Sequence, residues 1–146
     1  MQCQFSRSAV IAASPEAVFD FVTDQTRITE WSPEVVSSDV EGGGNVQAGA
    51  ILVQRRRQGS REMTNRVEVV AHERPQRHAV KTRIFGVNAL FTFTFAPDGE
   101  GTRAAFECDI SAKGLPSLWA GKMAQMIEKS DDGRLERLRE AMARRA

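Results

Sequence analysis

Along the chain the spacing of apolar and polar positions changes period three times, and each change predicts a new kind of element. Residues 3–11 alternate, which predicts a first strand with Phe5 and Ile11 on one side. From Ser14 the period becomes helical, with Val18, Phe19, Phe21 and Val22 as the apolar stripe. Ser14 suits the N-cap, Pro15 the first helical position, and Glu16 the positive end of the helix dipole. Asp24-Gln25-Thr26 breaks the stripe, Arg27 to Trp31 reads as a second short helix, and Pro33 forbids its continuation.

Beyond Pro33 the pattern is that of strands, near 35–41, 49–58, 61–72, 77–85, 89–96 and 102–112. Turn chemistry separates them: EGGGN (41–45), QGS (58–60), ERPQ (73–76), FGVN (85–88) and APDGEG (96–101). The segment LFTFTF (90–95) is the clearest half-buried strand, with Phe91, Phe93 and Phe95 on one face and Leu90, Thr92 and Thr94 on the other. After Gly114 the helical period returns and predicts a long helix from Pro116 to about residue 144. Its stripe is Trp119, Met123, Met126, Ile127, Leu135, Leu138 and Met142. The polar stretch KSDDG (129–133) interrupts that stripe and predicts a bend or an exposed section.

The resulting order is β-α-α-β₆-α, an α+β arrangement. Six consecutive strands joined by short loops favour an antiparallel meander. A meander of that length must curl, and the long C-terminal helix is the element able to cover its concave face. One helix covers only part of so wide a face, and the remainder is filled by side chains or left as a pocket. The two short helices, with Trp31, are expected to plug one end.

Composition narrows the picture without redirecting it. With 146 residues, 41% hydrophobic and 27% charged, the chain is expected to form one globular domain spanning 1–146. A net charge of +1 provides no global field toward nucleic acid or an anionic surface. No apolar run is long enough to insert across a bilayer. MQCQFSRSAVIAAS lacks the basic head and apolar block of a signal peptide, so a cytoplasmic location is expected. Cys3 and Cys108 are too few for a disulfide framework, and each is expected to act as a small apolar residue.

Four segments together carry a family resemblance. SPEAVFDFVTD…ITEWSP (14–33) resembles the N-terminal signature of the START-like (SRPBCC) superfamily, especially its polyketide cyclase/dehydrase and lipid-transport branch. VQAGAILVQRRRQGSRE (46–62) is similar to the glycine-led third strand of that branch, GEGTRAAFECDIS (99–111) to its last strand, and RLERLREAM (134–142) to its closing helix. The resemblance implies a helix-grip fold: a curved seven-stranded antiparallel sheet around a long C-terminal helix, enclosing a hydrophobic cavity. It further implies lipids, sterols, polyketides or other apolar molecules as ligands, and leaves the reaction, if any, open.

Candidate chemistry is sparse. His72 and His78 flank Pro75 near a hairpin turn, beside Glu73, Arg74 and Arg77, and are expected to be solvated. No third well-spaced ligand accompanies them, so no metal site is expected. In QRRRQGSR (54–61), Arg55 and Arg57 point one way and Arg56 the other. Their expected place is the outer face of the sheet, covering apolar surface with their stems. The sharper alternative has one of them enter the cavity to hold a carboxylate or carbonyl. No aromatic residue interleaves with them, so no nucleic-acid partner is expected.

Asn65, on a face with Met63, Val67 and Val69, and Thr82, between Val80 and Ile84, would put polar groups on an apolar wall. Such groups bond each other or the backbone, or else face a ligand or trapped water. Glu107 and Asp109 alternate with Phe106, Cys108 and Ile110, and are expected to face solvent. No nucleophile elbow, Walker loop, HExxH or Rossmann fingerprint is present, and with no tyrosine there is no phenol to act as general acid.

The expectation is therefore a cavity for a small hydrophobic or amphipathic ligand, with no cofactor. Its expected wall comprises Trp31, Leu52, Met63, Asn65, Thr82, Phe91, Phe93, Phe106, Met123 and Ile127. A cyclase or dehydrase using the same cavity requires an ionisable group inside it: an arginine, an Asp or Glu, or His78. A protein-interaction module with a collapsed cavity is the third reading, and a homodimer stays open.

Overall fold

The computed structural model describes residues 2–130 and 133–145, without the side chains of Gln2, Cys3, Gln58 and Ser130. Strand β1 (Gln2–Ile11) leads into helix α1 (Pro15–Thr23), where the Ser14 hydroxyl accepts the backbone N–H of Ala17 at 3.2 Å. The expected second helix is shorter than its pattern, a single 3₁₀ turn at Ile28–Glu30. Then come β2 (Val35–Val40), β3 (Ile51–Gln58), β4 (Arg61–Glu73), β5 (Arg77–Ile84), β6 (Val87–Asp98) and β7 (Gly101–Ser111).

All neighbours pair antiparallel, in the order β1-β7-β6-β5-β4-β3-β2. The first two strands in sequence are thus the two edges of the sheet. The α1 and 3₁₀ segment exists because the chain must cross the sheet's full width between them. In crossing, it lays Val18, Phe19, Val22, Ile28 and Trp31 into the core.

The C-terminal helical region bends at the polar stretch. Helix α2 (Ser117–Ser130) ends there, and α3 (Arg134–Ala143) begins after Gly133, whose φ of 80° is the left-handed conformation that glycine adopts without strain. Asp131 and Asp132 lie outside the described residues. Helix α2 lies over β7 and β1, and α3 over β1 and α1. Small residues permit this approach: Ala120 and Ala124 on α2 and Ala141 on α3 are buried, as are Ala104 and Ala112 on and after β7. The expected stripe is corrected in part, since Trp119 and Met126 are exposed, and the alanines take the buried face with Met123 and Ile127 beside them.

Phe93 and Phe106 centre the core, 4.9 Å apart between ring centroids, with Trp31 edge-on to Phe93 at 6.0 Å and Phe91 stacked on Phe106 at 5.8 Å. Cys108 is buried as expected, and the Cys3 side chain lies outside the described part. Because the helices sit over one side of the concave face, β3, β4 and β5 are left partly uncovered.

Candidate functional site

That uncovered region is a cavity of about 170 Å³. Strand pleating explains its wall. Residues of one parity point inward: Gln54 and Arg56 on β3; Met63, Asn65 and Val67 on β4; Val80, Thr82 and Ile84 on β5; Phe91 on β6. Helix α2 closes it with Met123, Met126 and Ile127, and α3 contributes Arg134. Phe85, in the β5–β6 turn, stands at the rim, largely exposed.

Six of the ten expected wall residues line this space: Met63, Asn65, Thr82, Phe91, Met123 and Ile127. The other four do not. Trp31, Phe93 and Phe106 lie in the core behind the wall, and Leu52 packs with Val67 and Val69 in a smaller cluster. Trp31 is therefore core rather than an end plug, its ring beneath the Arg134 guanidinium at 5.8 Å. Thr82 resolves the question of its hydroxyl by donating to the backbone carbonyl of Arg66 at 3.2 Å. Asn65 makes no side-chain hydrogen bond among the described residues, so its amide faces the cavity.

The polar end lies toward β2. Arg134 is buried, 8% exposed, and its guanidinium reaches Glu34 at 3.2 Å and stacks over Phe106 at 5.5 Å. Arg56 reaches the same carboxylate at 3.7 Å and donates to the Gln54 side-chain oxygen at 3.2 Å. The Ser32 hydroxyl completes the group with a 2.9 Å bond to Glu34. Burial pushes the Glu34 carboxyl up, but Arg134, Ser32 and Arg56 outweigh it and hold the group below its ordinary value. Glu34 is therefore an anion that anchors two arginines, not a proton donor.

Two expectations change here. The arginine that enters is Arg56; Arg55 and Arg57 point outward and pair with Glu62. Pairing of Val35 with Arg56 brings Glu34 within reach, and that cross-strand partner is what makes burial of the charge tolerable. Arg134 was not among the expected site residues; it lies in the segment read only as a closing helix.

The histidines are the second correction. His78 is 4% exposed, not solvated, and its Nδ1 lies 3.2 Å from that of His72. Both pack against Phe19 of α1, with ring centroids 6.3 Å and 5.0 Å away. A bulge between Val69 and Ala71 shifts the parity of β4, turning His72 inward to face His78. Burial, then the neighbouring His72, pushes His78 down to about 4, and burial lowers His72 despite Asp20. Neither lines the cavity. Glu107 and Asp109 sit on the outer side of β7, as expected, though half-buried. Among the described residues no cluster of three potential ligands could hold a metal.

A family model described as polyketide cyclase / dehydrase and lipid transport matches residues 2–143. The chain belongs to that family. No curated protein matches it. Solved structures share the helix-grip fold at low identity. Ara h 8.0201 is 11% identical with a TM-score of 0.77, over 98% of this chain and 99% of its own. Mll3558 from Rhizobium loti is 21% identical with a TM-score of 0.74, over 97% of each chain. The di-domain ARO/CYC BexL, from the BE-7585A biosynthetic pathway, is 17% identical with a TM-score of 0.76. That match covers 96% of this chain and 50% of BexL. The polar side chains of this chain's cavity include Arg56 and Arg134 on one carboxylate, with Asn65 on the same wall.

Proposed function

We propose that this family member binds a small amphipathic molecule, with its apolar body against Met63, Val67, Val80, Phe91, Met123 and Ile127. Oxygen atoms of the ligand's head meet Arg56, Arg134 and Asn65. The observation that carries this reading is the entry of two guanidiniums, held by Glu34, into a space walled mainly by apolar side chains. A guanidinium presents several N–H donors in a plane, which suits a carboxylate or an array of carbonyl and hydroxyl oxygens.

Size limits the ligand. A cavity near 150 Å³ takes a benzene-sized guest, whereas drug-sized ligands occupy roughly 300–1,000 Å³. At about 170 Å³ the space suits one ring or a short chain. A long-chain lipid or a fused polycycle requires the α2 side to move outward. A cytoplasmic carrier or sensor of a small aromatic or short aliphatic acid is the function that follows.

One observation favours a second, enzymatic reading: the required ionisable groups are inside the cavity. Arginine stays protonated, so Arg56 and Arg134 could polarise a carbonyl but not shuttle a proton. No lining residue among those described is an acid or base with an accessible second state. Catalysis would then rest on positioning and polarisation.

Calorimetric titration with small aromatic and aliphatic carboxylates, each against its amide or methyl isostere, tests the proposal. The carboxylates should bind more tightly, and Arg56→Met should weaken them about tenfold, the loss of one charge-assisted hydrogen bond of about 1.5 kcal/mol. Equal binding of acid and isostere, unchanged in Arg56→Met, would remove the arginine head site.

A further inference from the structure

The rim of the cavity carries large apolar side chains that stay exposed in the fold. Leu118 is 78% exposed and Phe85 and Leu115 each 72%, with Met126 and Trp119 also outward. The start of α2 and the β5–β6 turn meet here. The Trp119 indole N–H donates to the Phe85 carbonyl at 3.0 Å, tying the start of α2 to the β5–β6 turn. At Gly86 an added Cβ would lie 2.5 Å from Pro116, so the turn and the start of α2 touch directly. Phe85 itself has a φ of 51°, a left-handed conformation that a bulky residue adopts only under strain. A phenyl ring thus stands largely in solvent at the cavity rim, at a position where glycine or asparagine would sit more easily.

Among the described residues the charge on this face has one sign. Along α2, Leu118, Trp119 and Met126 share their outward face with Lys122, Gln125 and Lys129, and Lys113 stands before Leu115. These lysines are exposed and make no ion pair among the described residues. The one acid of α2, Glu128, lies off this face and is held by Arg7 at 2.9 Å. Aromatic and aliphatic side chains interleaved with lysines on one helical face are the pattern of a helix that lies in a membrane interface. A second copy of the chain is disfavoured as occupant, because a two-fold contact would set these lysines against each other.

We infer that the face formed by Phe85, Leu115, Leu118, Trp119 and Met126 docks on an anionic lipid surface, with Lys113, Lys122 and Lys129 facing the headgroups. The docking inserts apolar tips at the interface and crosses nothing. It stands on the exposed face alone and does not depend on the ligand assigned to the cavity.

Flotation of the full chain with vesicles tests this. One set is phosphatidylcholine alone, the other an equal mixture of phosphatidylcholine and phosphatidylglycerol. The protein should float with the mixed vesicles, not with phosphatidylcholine alone, and should be released as salt rises. Leu118→Asp should abolish flotation, and the double variant Lys113→Gln/Lys122→Gln should lower partitioning about tenfold or more at low salt. Neither variant touches a cavity-lining residue, so carboxylate binding should persist in both and separates this docking from the cavity's function. Absence of flotation with either vesicle overturns the inference, as does flotation that Leu118→Asp leaves unchanged. A concentration-dependent dimer that Leu118→Asp dissolves, without flotation of the parent chain, also overturns it in favour of self-association.

Discussion

Acidification from neutral pH acts on this fold first through His78. The imidazole is 4% exposed, packed against Phe19 and facing His72, and it takes a proton only near pH 4 in the fold, against 6.5 ordinarily. Between those values the unfolded chain binds a proton that the native chain refuses. Protons therefore favour unfolding in that window, and stability rises with pH across it. The contribution is fully present above pH 6.5 and declines through the window. Below about pH 4 this group costs nothing further.

Each pH unit is worth about 1.4 kcal/mol, so the loss amounts to about 2 kcal/mol by pH 5 and about 3 kcal/mol by pH 4. The lowered value of His72 adds a loss of the same sign. Asp20, Asp24 and Glu34, held below their ordinary values by Arg74, by Thr26 and Arg27, and by Arg134 with Ser32 and Arg56, act only at lower pH. Urea unfolding at pH 7 and pH 5, on the parent chain and on His78→Phe, measures the effect. The parent should lose about 2 kcal/mol, and His78→Phe should lose much less. Equal stability at the two pH values, or an undiminished loss in His78→Phe, would refute the burial argument.

Three further perturbations probe the frame. Glu34→Gln removes the anion shared by Arg56 and Arg134 and should cost about 2 kcal/mol in chemical denaturation, less than a fully buried pair because Glu34 is 21% exposed. Phe93→Ala opens the centre of the aromatic core and should cost about 3–4 kcal/mol by the same assay. At Gly101 an added Cβ would lie 2.6 Å from the backbone oxygen of Ile11, so Gly101→Ala should lower the melting temperature by forcing β1 and β7 apart, and an unchanged value would contradict the contact.

The fold was legible because its signals are local and repeat: caps at Ser14 and Pro15, alternation at 90–95, turn residues between strands. The site was legible where parity held. Met63 and Asn65 on β4, and Thr82 on β5, point inward as their spacing requires. Arg56 shares the parity of Leu52, but the rule that charges avoid the interior argued against it, and Glu34, the partner that overrides that rule, is set by strand register. His78 carries the parity of Val80 and Thr82, so its burial could have been read. His72 could not, because the extra residue at the β4 bulge leaves no mark in the alternation. Trp119 and Met126 were misplaced because a stripe read by large residues overlooks Ala120 and Ala124, whose smallness selects the packed face.

In the proposed function a small acid sits between the methionine-lined wall and the two arginines. Methyl resonances of methionine report on it directly, since Met63, Met123 and Met126 line the cavity and Met142 does not. With protein labelled at the methionine methyls and titrated with benzoate and octanoate, saturable shifts are expected at Met63 and Met123 and none at Met142. Those shifts should weaken in Arg56→Met. Unmoved cavity methyls, or shifts that reach Met142 equally, would contradict it.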